Sequence, residues 1–130
     1  MYSCDGVGVN PPLTFSDTPK EAKSLALIVD DPDAPIGTYV HWVVFNIPPT
    51  VAKVGEGKGI PGSLLGKNSS GSMSYTPACP PNGTHRYFFK LFALDSELPV
   101  SSGLSKEDLE RAIQGHILAS AELVGLYKRK

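Results

Sequence analysis

Four side chains capable of acid–base and hydrogen-bonding chemistry stand at the ends of apolar segments: Asp31, His41, His85 and Tyr87. A histidine donates hydrogen bonds and can be cationic near neutral pH, and a tyrosine donates through its hydroxyl. A carboxylate bonded to a histidine fixes the tautomer of the ring and favours the cation. If these groups meet, they form a polar pocket whose use the residues alone do not decide.

The elements that must bring them together are three predicted strands. Residues 24–30, 38–48 and 85–95 are short apolar runs of the kind that form buried strands. Side chains two apart in a strand share a face. The predicted faces are Leu25, Leu27, Val29 and Asp31; His41, Val43, Phe45 and Ile47; and His85, Tyr87, Phe89, Leu91 and Ala93. Antiparallel pairing would place the polar ends of all three strands together.

The second half of the chain contains a predicted helix and a last strand. Ser105 is a candidate N-cap for a helix within residues 105–115, with Asp108 at the spacing of a capping box. Gly115 can end this helix, and residues 116–128 return as a strand. Residues 49–84 form a connection rich in Gly, Ser and Pro, and a connection of that length is usually functional. The order favours a mainly antiparallel β architecture with a small helical element.

Length and composition restrict the classes of function. The 130 residues predict one domain, 1–130, with 41% hydrophobic residues and a net charge of −1. We find no basic run for nucleic acid and no apolar run long enough for a transmembrane segment. The N-terminus does not resemble a signal peptide, which predicts a cytoplasmic protein, or a periplasmic one if a signal has been removed. The pairing of Cys4 and Cys79 stays open.

Four motifs in order resemble one known family. They are DPDAP (31–35), HWVVFNIP (41–48), PPNGTHRYFFKLFALD (80–95) and GHILASAELVGLY (115–127). Together they are similar to the phosphatidylethanolamine-binding protein family, most closely to its bacterial and archaeal branch, often called Raf-kinase-inhibitor-like. The resemblance covers nearly the whole chain. It implies an antiparallel β-sandwich with a short C-terminal helical element.

The resemblance also implies a ligand. The family holds small anions, such as phosphate or a phospholipid head group, in a surface cavity without a cofactor, and its relatives suggest a kinase or protease as a protein target. By resemblance, the residues of the cavity wall are Asp31, Asp33, His41, Tyr75, Cys79, Pro80, Pro81, His85 and Tyr87. A homodimer is a further expectation. The sequence YTPA (75–78) replaces the family's usual YGGP, which stiffens the rim and removes a backbone donor.

Other functions remain open from the residues alone. His41, His85 and Asp31 could form a two-histidine, one-carboxylate metal site. Cys79 and His85 could form a nucleophile pair in a thiol hydrolase. A pure interaction protein, with a vestigial cavity and a surface patch for its partner, is a third class. The leading hypothesis is a non-enzymatic protein that binds a small anion or phosphorylated group.

Overall fold

A computed structural model describes residues 13–15, 18–32, 38–54, 59–60, 62–69, 71–75, 84–99 and 102–128. The strands are β1 (Leu13–Thr14), β2 (Ser24–Asp31), β3 (Tyr39–Ile47), β4 (Lys53–Val54), β5 (Leu64–Leu65), β6 (Thr84–Leu94) and β7 (Ile117–Lys128). One helix, α1 (Lys106–Ile113), precedes β7. The three predicted strands and the final strand are confirmed to within a residue or two. The described part of the predicted connection 49–84 contains two short strands, β4 and β5.

The large sheet has five strands in the order β5-β3-β2-β6-β7. All described pairings in it are antiparallel, and β2 lies at the centre between β3 and β6. Each of the eight residues of β2 is buried. A strand buried on both faces must be covered by other elements on both sides.

The two faces of the large sheet are covered differently. On one face, Leu25, Leu27 and Val29 join a cluster that includes Phe15, and Leu13 of the small β1–β4 sheet packs against that cluster. On the other face, Ala26 and Ile28 pack with Leu109 and Ile113 of α1. We call these the small-sheet face and the helix face. The mainly antiparallel architecture with one short helix agrees with the prediction.

The helix begins as the sequence predicted. Ser105 is the N-cap, and its hydroxyl accepts a hydrogen bond from the backbone N–H of Asp108. Arg111 forms an ion pair with Asp108 one turn along, and the pKa of Asp108 is lowered mainly by the side-chain hydrogen bond from Arg111. Among the described residues, no helix has the length and apolar character needed to cross a membrane.

Two irregularities interrupt the pairing of β2 with β3. Register shifts lie between Leu25 and Leu27 and between Val29 and Asp30. Asn46, at the first of these, has a φ of 50°, in the left-handed region that Asn tolerates better than most residues. The Asn46 side chain accepts a hydrogen bond from the Leu98 N–H at 2.7 Å and donates one to the Leu98 carbonyl at 2.9 Å. The bulge therefore ties β3 to the segment that leads towards α1.

Replacing the helix cap tests this part of the fold. Ser105→Ala removes the acceptor for the Asp108 N–H, and we expect the free energy of unfolding to fall by about 1 kcal/mol. The matched control is Ser102→Ala, at an exposed position outside the helix, where we expect a change within about 0.5 kcal/mol. Chemical denaturation followed by circular dichroism measures both. Equal stability of the two variants would contradict the capping role.

Candidate functional site

The polar strand ends meet at one end of the large sheet. Asp31, the last residue of β2, lies opposite Tyr39 of β3, and Asp30 lies opposite Phe88 of β6. The end of β2 therefore lies between the first residue of β3 and the fifth residue of β6. Of the predicted convergence of Asp31, His41, His85 and Tyr87, the structure shows the contact between His41 and Tyr87, and the shared cavity stays a prediction.

His41 is held between two aromatic rings at this end. Its ring centroid lies 4.9 Å from that of Tyr39, at an interplanar angle of 57°, and 4.9 Å from that of Tyr87, at 67°. His41 is 5% exposed and Tyr87 is 2% exposed. The edge-to-face geometry is one that aromatic pairs favour. Both rings restrict the rotation of the imidazole, so its nitrogens are aimed by packing.

A bulge corrects one prediction about β3. Strict alternation placed His41 on the same face as Val43 and Phe45, but these two residues pack on the helix face. Trp42 lies on the small-sheet face with Tyr87, and His41 contacts Tyr87. The register shift beside His41 supplies the reason, because an extra residue in one strand breaks the alternation of side chains. Consecutive residues His41 and Trp42 can thus serve the same side of the sheet.

The predicted faces of the other two strands are confirmed where the side chains are described. Leu25, Leu27 and Val29 of β2 belong to the small-sheet cluster, and so do Tyr87, Phe89 and Ala93 of β6, with Leu91 packed against it. Asp31 is two residues beyond Val29 and 3% exposed. Alternation along β2 places it on the small-sheet side, the side of Tyr87.

Its neighbour Asp30 faces the other way and was missed by the sequence analysis. The Asp30 carboxylate is buried, and its Oδ2 lies 3.2 Å from the Nζ of Lys90 and 3.2 Å from the Nζ of Lys106. One carboxylate thus ties β2 to β6 and to the first residue of α1. One sequence signal could have assigned Asp30 to the helix face. It lies two residues after Ile28, and residues two apart in a strand share a face.

Tyr75 reaches the same neighbourhood through Trp42. Their ring centroids are 5.5 Å apart and nearly perpendicular, at 86°. A hollow of about 370 Å³ lies against both rings and is also lined by Ile60, Ser63 and Ser74, among others. Tyr75 is therefore in ring contact with Trp42, the residue that follows His41. This position is compatible with the prediction that Tyr75 lies near the candidate site.

The remaining predicted site residues are not tested. Asp33, Cys79, Pro80 and Pro81 lie outside the described residues, as does Cys4, so the predicted loop contacts and the cysteine pairing stay predictions. The backbone of His85 lies in β6 opposite Tyr127. The description does not extend to the His85 side chain, and its place in the cavity wall also stays a prediction.

Residues 1–128 match the family model described as phosphatidylethanolamine-binding protein. The chain belongs to the phosphatidylethanolamine-binding protein family. The four sequence motifs predicted this membership, and the match confirms it.

Relatives in this family come from both archaea and bacteria. The chain is 51% identical over 133 residues to a UPF0098 protein of Methanothermobacter thermautotrophicus, covering 98% of this chain and 88% of that one. It has the same identity and coverage with a UPF0098 protein of Chlamydia muridarum.

Solved structures of the family agree with the fold. A crystal structure of a protein from Chlamydia trachomatis, described as a putative phosphatidylethanolamine-binding protein homologue, has a TM-score of 0.96 at 48% identity, covering 99% of this chain and 87% of that one. Escherichia coli YbcL, described as a member of the mammalian family, has a TM-score of 0.88 at 35% identity, covering 100% and 86%.

The metal-site alternative depends on a side chain that is not described. Among the side chains that the structure does describe, no group of three His, Cys, Asp or Glu is arranged to hold a metal ion. The predicted trio of Asp31, His41 and His85 includes a histidine outside that set. The trio therefore remains a prediction.

Removing the Asp30 carboxylate tests how much its ion pairs with Lys90 and Lys106 contribute to stability. Asp30→Ala leaves Lys90 and Lys106 without their shared partner, with 29% and 17% of their side chains exposed. Because both lysine side chains are partly exposed and Lys106 also lies 3.9 Å from Glu110, we expect a loss of about 1–3 kcal/mol in the free energy of unfolding, below the cost of stranding a fully buried charge.

The matched control is Asp95→Ala. Asp95 pairs with His116 at 2.8 Å, and both side chains are close to half exposed, so its loss should cost under about 1 kcal/mol. Urea denaturation of the two variants separates them. If Asp95→Ala destabilises the protein as much as Asp30→Ala, the buried carboxylate does not hold β2, β6 and α1 together.

Proposed function

We propose that this protein binds a small anion or a phosphorylated group, such as a phospholipid head group, at the strand ends around His41 and does not act on it catalytically. The observation that carries the proposal is the buried imidazole of His41, positioned by the rings of Tyr39 and Tyr87. An imidazole fixed in this way meets an anion without first losing rotational freedom, which favours binding.

The neighbouring groups supply what an anion needs. Tyr87 carries a hydroxyl that can donate a hydrogen bond, and a protonated His41 adds a charge-assisted one. Asp31, buried at the adjacent strand end, supplies negative charge that favours a cationic imidazole. In this arrangement His41 and Tyr87 contact the ligand, and Asp31 acts through His41 as a positioning residue.

In this proposal the rest of a larger ligand enters the hollow against Tyr75 and Trp42, the residue that follows His41. Its lining combines apolar side chains with the hydroxyl groups of Ser63 and Ser74. Pockets of this composition hold the organic part of a ligand while a few polar groups fix its orientation. The proposal therefore favours an anion that carries a small organic substituent, such as phosphoethanolamine, over inorganic phosphate.

Substitution of the histidine tests binding directly. His41→Ala removes a charge-assisted hydrogen bond, so we expect phosphoethanolamine binding to weaken by roughly 1.5–3 kcal/mol, which is about 10- to 150-fold in Kd. The matched control is His116→Ala, at a histidine that is 47% exposed in its side chain and pairs with Asp95. Isothermal titration calorimetry measures all three proteins. Unchanged affinity in His41→Ala would refute the proposal.

The pH dependence of binding tests the charge state. If the anion is held by a histidinium, its affinity falls as pH rises through the pKa of that histidine, because deprotonation removes the positive charge. The neutral variant His41→Gln, which keeps a donor, should bind with little dependence on pH. Titrations at about pH 5.5 and about pH 8.5 span the ordinary range of histidine pKa values.

The choice of ligand controls for the ligand's own ionisation. Phosphate monoesters gain negative charge over the same range, which works against the expected trend, whereas sulfate keeps a constant charge. We therefore expect the fall in affinity with pH to be clearest for sulfate. Equal sulfate affinity at both pH values in the unmodified protein would exclude a histidinium. A hydrogen bond from a neutral His41 would still be detected, because His41→Ala would bind more weakly.

A further inference from the structure

The chain that follows β5 runs beside β3 towards His41. Beyond the pairing of Leu65 with Val44, the Gly66 N–H donates to the Val43 carbonyl at 2.8 Å. Gly66 lies so close to β3 that a Cβ at this position would stand 2.6 Å from the Val43 side chain. Glycine permits that approach because it has no Cβ. The chain is therefore held against β3 as it leaves β5.

Three residues further on, Ser69 fastens the chain to the residue before His41. The Ser69 N–H donates to the Val40 carbonyl at 2.9 Å, and the Val40 N–H donates to the Ser69 hydroxyl oxygen at 2.7 Å. Both backbone groups of Val40 thus bond to one serine. Since Val40 immediately precedes His41, the backbone that carries the imidazole is fixed from this side as well as by its pairing with β2.

Asn68 closes the loop that follows. Its backbone N–H donates to the Ser72 carbonyl at 2.9 Å, and its side-chain oxygen accepts from the Ser72 N–H at 3.1 Å. Its side-chain nitrogen donates to the Ser74 carbonyl at 2.8 Å. Gly71, with a φ of 85°, supplies a left-handed turn residue and donates to the Asn68 carbonyl at 3.0 Å. We call residues 68–69 and 71–75 the Asn68 loop.

Within the described part of this loop, Asn68 is the buried residue. It is 6% exposed, whereas residues 71–74 are all exposed. An exposed loop makes few apolar contacts of its own, so its shape depends on the bonds from its asparagine to the backbone. The loop leads to Tyr75, whose ring centroid lies 5.5 Å from that of Trp42. Residues 73–75 also line the hollow of about 370 Å³.

We propose that Asn68 is a positioning residue of the candidate site. It holds the Asn68 loop so that Tyr75 stands against Trp42, and the hollow beside these rings then selects an anion with an organic substituent over a bare inorganic anion. The inference rests on the proposed function for its ligand and adds the residue that sets the preference. Because Ser69 keeps the backbone before His41 in place, loss of the Asn68 side chain displaces Tyr75 and leaves His41 where it is.

The single tryptophan of the chain reports the position of the loop. Trp42 is 2% exposed and in ring contact with Tyr75, so a displaced loop admits a quencher to the indole. In Asn68→Ala, and likewise in Tyr75→Leu, we expect acrylamide quenching of the fluorescence to rise at least about twofold. The matched control is Ser72→Ala in the same loop. It keeps both backbone bonds to Asn68 and should be quenched like the unmodified protein.

Ligand binding separates positioning from a general loss of structure. By isothermal titration calorimetry, Asn68→Ala should raise the Kd of phosphoethanolamine about 3- to 10-fold and leave the Kd of sulfate within about twofold. In a Tyr75→Leu background, Asn68→Ala should cause no further loss, because both changes remove the same contact. If circular dichroism shows that Asn68→Ala does not fold, Asn68→Asp takes its place. Aspartate keeps the acceptor for the Ser72 N–H and loses the donor to the Ser74 carbonyl.

Three results overturn the proposal. They are unchanged quenching in the folded variant of Asn68, an equal loss of affinity for both ligands, and a loss that adds to that of Tyr75→Leu. Failure of the proposed function gives a different result, since the unmodified protein then binds neither ligand. That result overturns the ligand preference as well, and the quenching measurement alone then decides whether Asn68 positions Tyr75.

Discussion

Two adjacent carboxylates are buried at the end of the central strand, and the cost of burying them organises this end of the molecule. A buried charge is tolerated only with partners. Asp30 finds its partners on the helix face, where two lysines share one oxygen atom. Asp31 faces the opposite side, where His41 and Tyr87 lie in edge contact. Consecutive residues of a strand point in opposite directions. Asp30 therefore connects the sheet to the helix, while the adjacent Asp31 faces the candidate site.

The sequence was sufficient to predict most of this framework. Apolar runs located β2, β3 and β6 to within a residue or two, and the serine at position 105 located the start of α1. Antiparallel order then predicted that Asp31, His41, His85 and Tyr87 would meet, and of these the contact between His41 and Tyr87 is observed. These features follow from local composition and from the pleat, both of which can be read without knowledge of long-range contacts.

What the sequence could not provide was the position of the bulges. Alternation assigned His41 to the side of Val43 and Phe45, and a register shift between Val29 and Asp30 reverses that assignment. A bulge depends on how two strands pair, which is a property of both strands at once. The double ion pair of Asp30 was hidden for a similar reason, since Lys106 is distant in sequence and reaches the carboxylate only after α1 has packed.

Family membership and geometry contribute different kinds of knowledge here. Membership, with a structural relative at a TM-score of 0.96, establishes the architecture. The packed imidazole of His41 gives a physical reason to place the proposed ligand at one end of the sheet.

The bulge at Asn46 restricts which amino acids this position can accept in relatives of the protein. A positive φ of 50° disfavours β-branched and bulky residues. The pair of bonds to Leu98 requires a side chain that is short and is both donor and acceptor. Glycine meets only the first requirement, aspartate would turn an acceptor towards the Leu98 carbonyl, and glutamine is one carbon too long. Asparagine meets both requirements, so we expect substitution at this position to destabilise the protein.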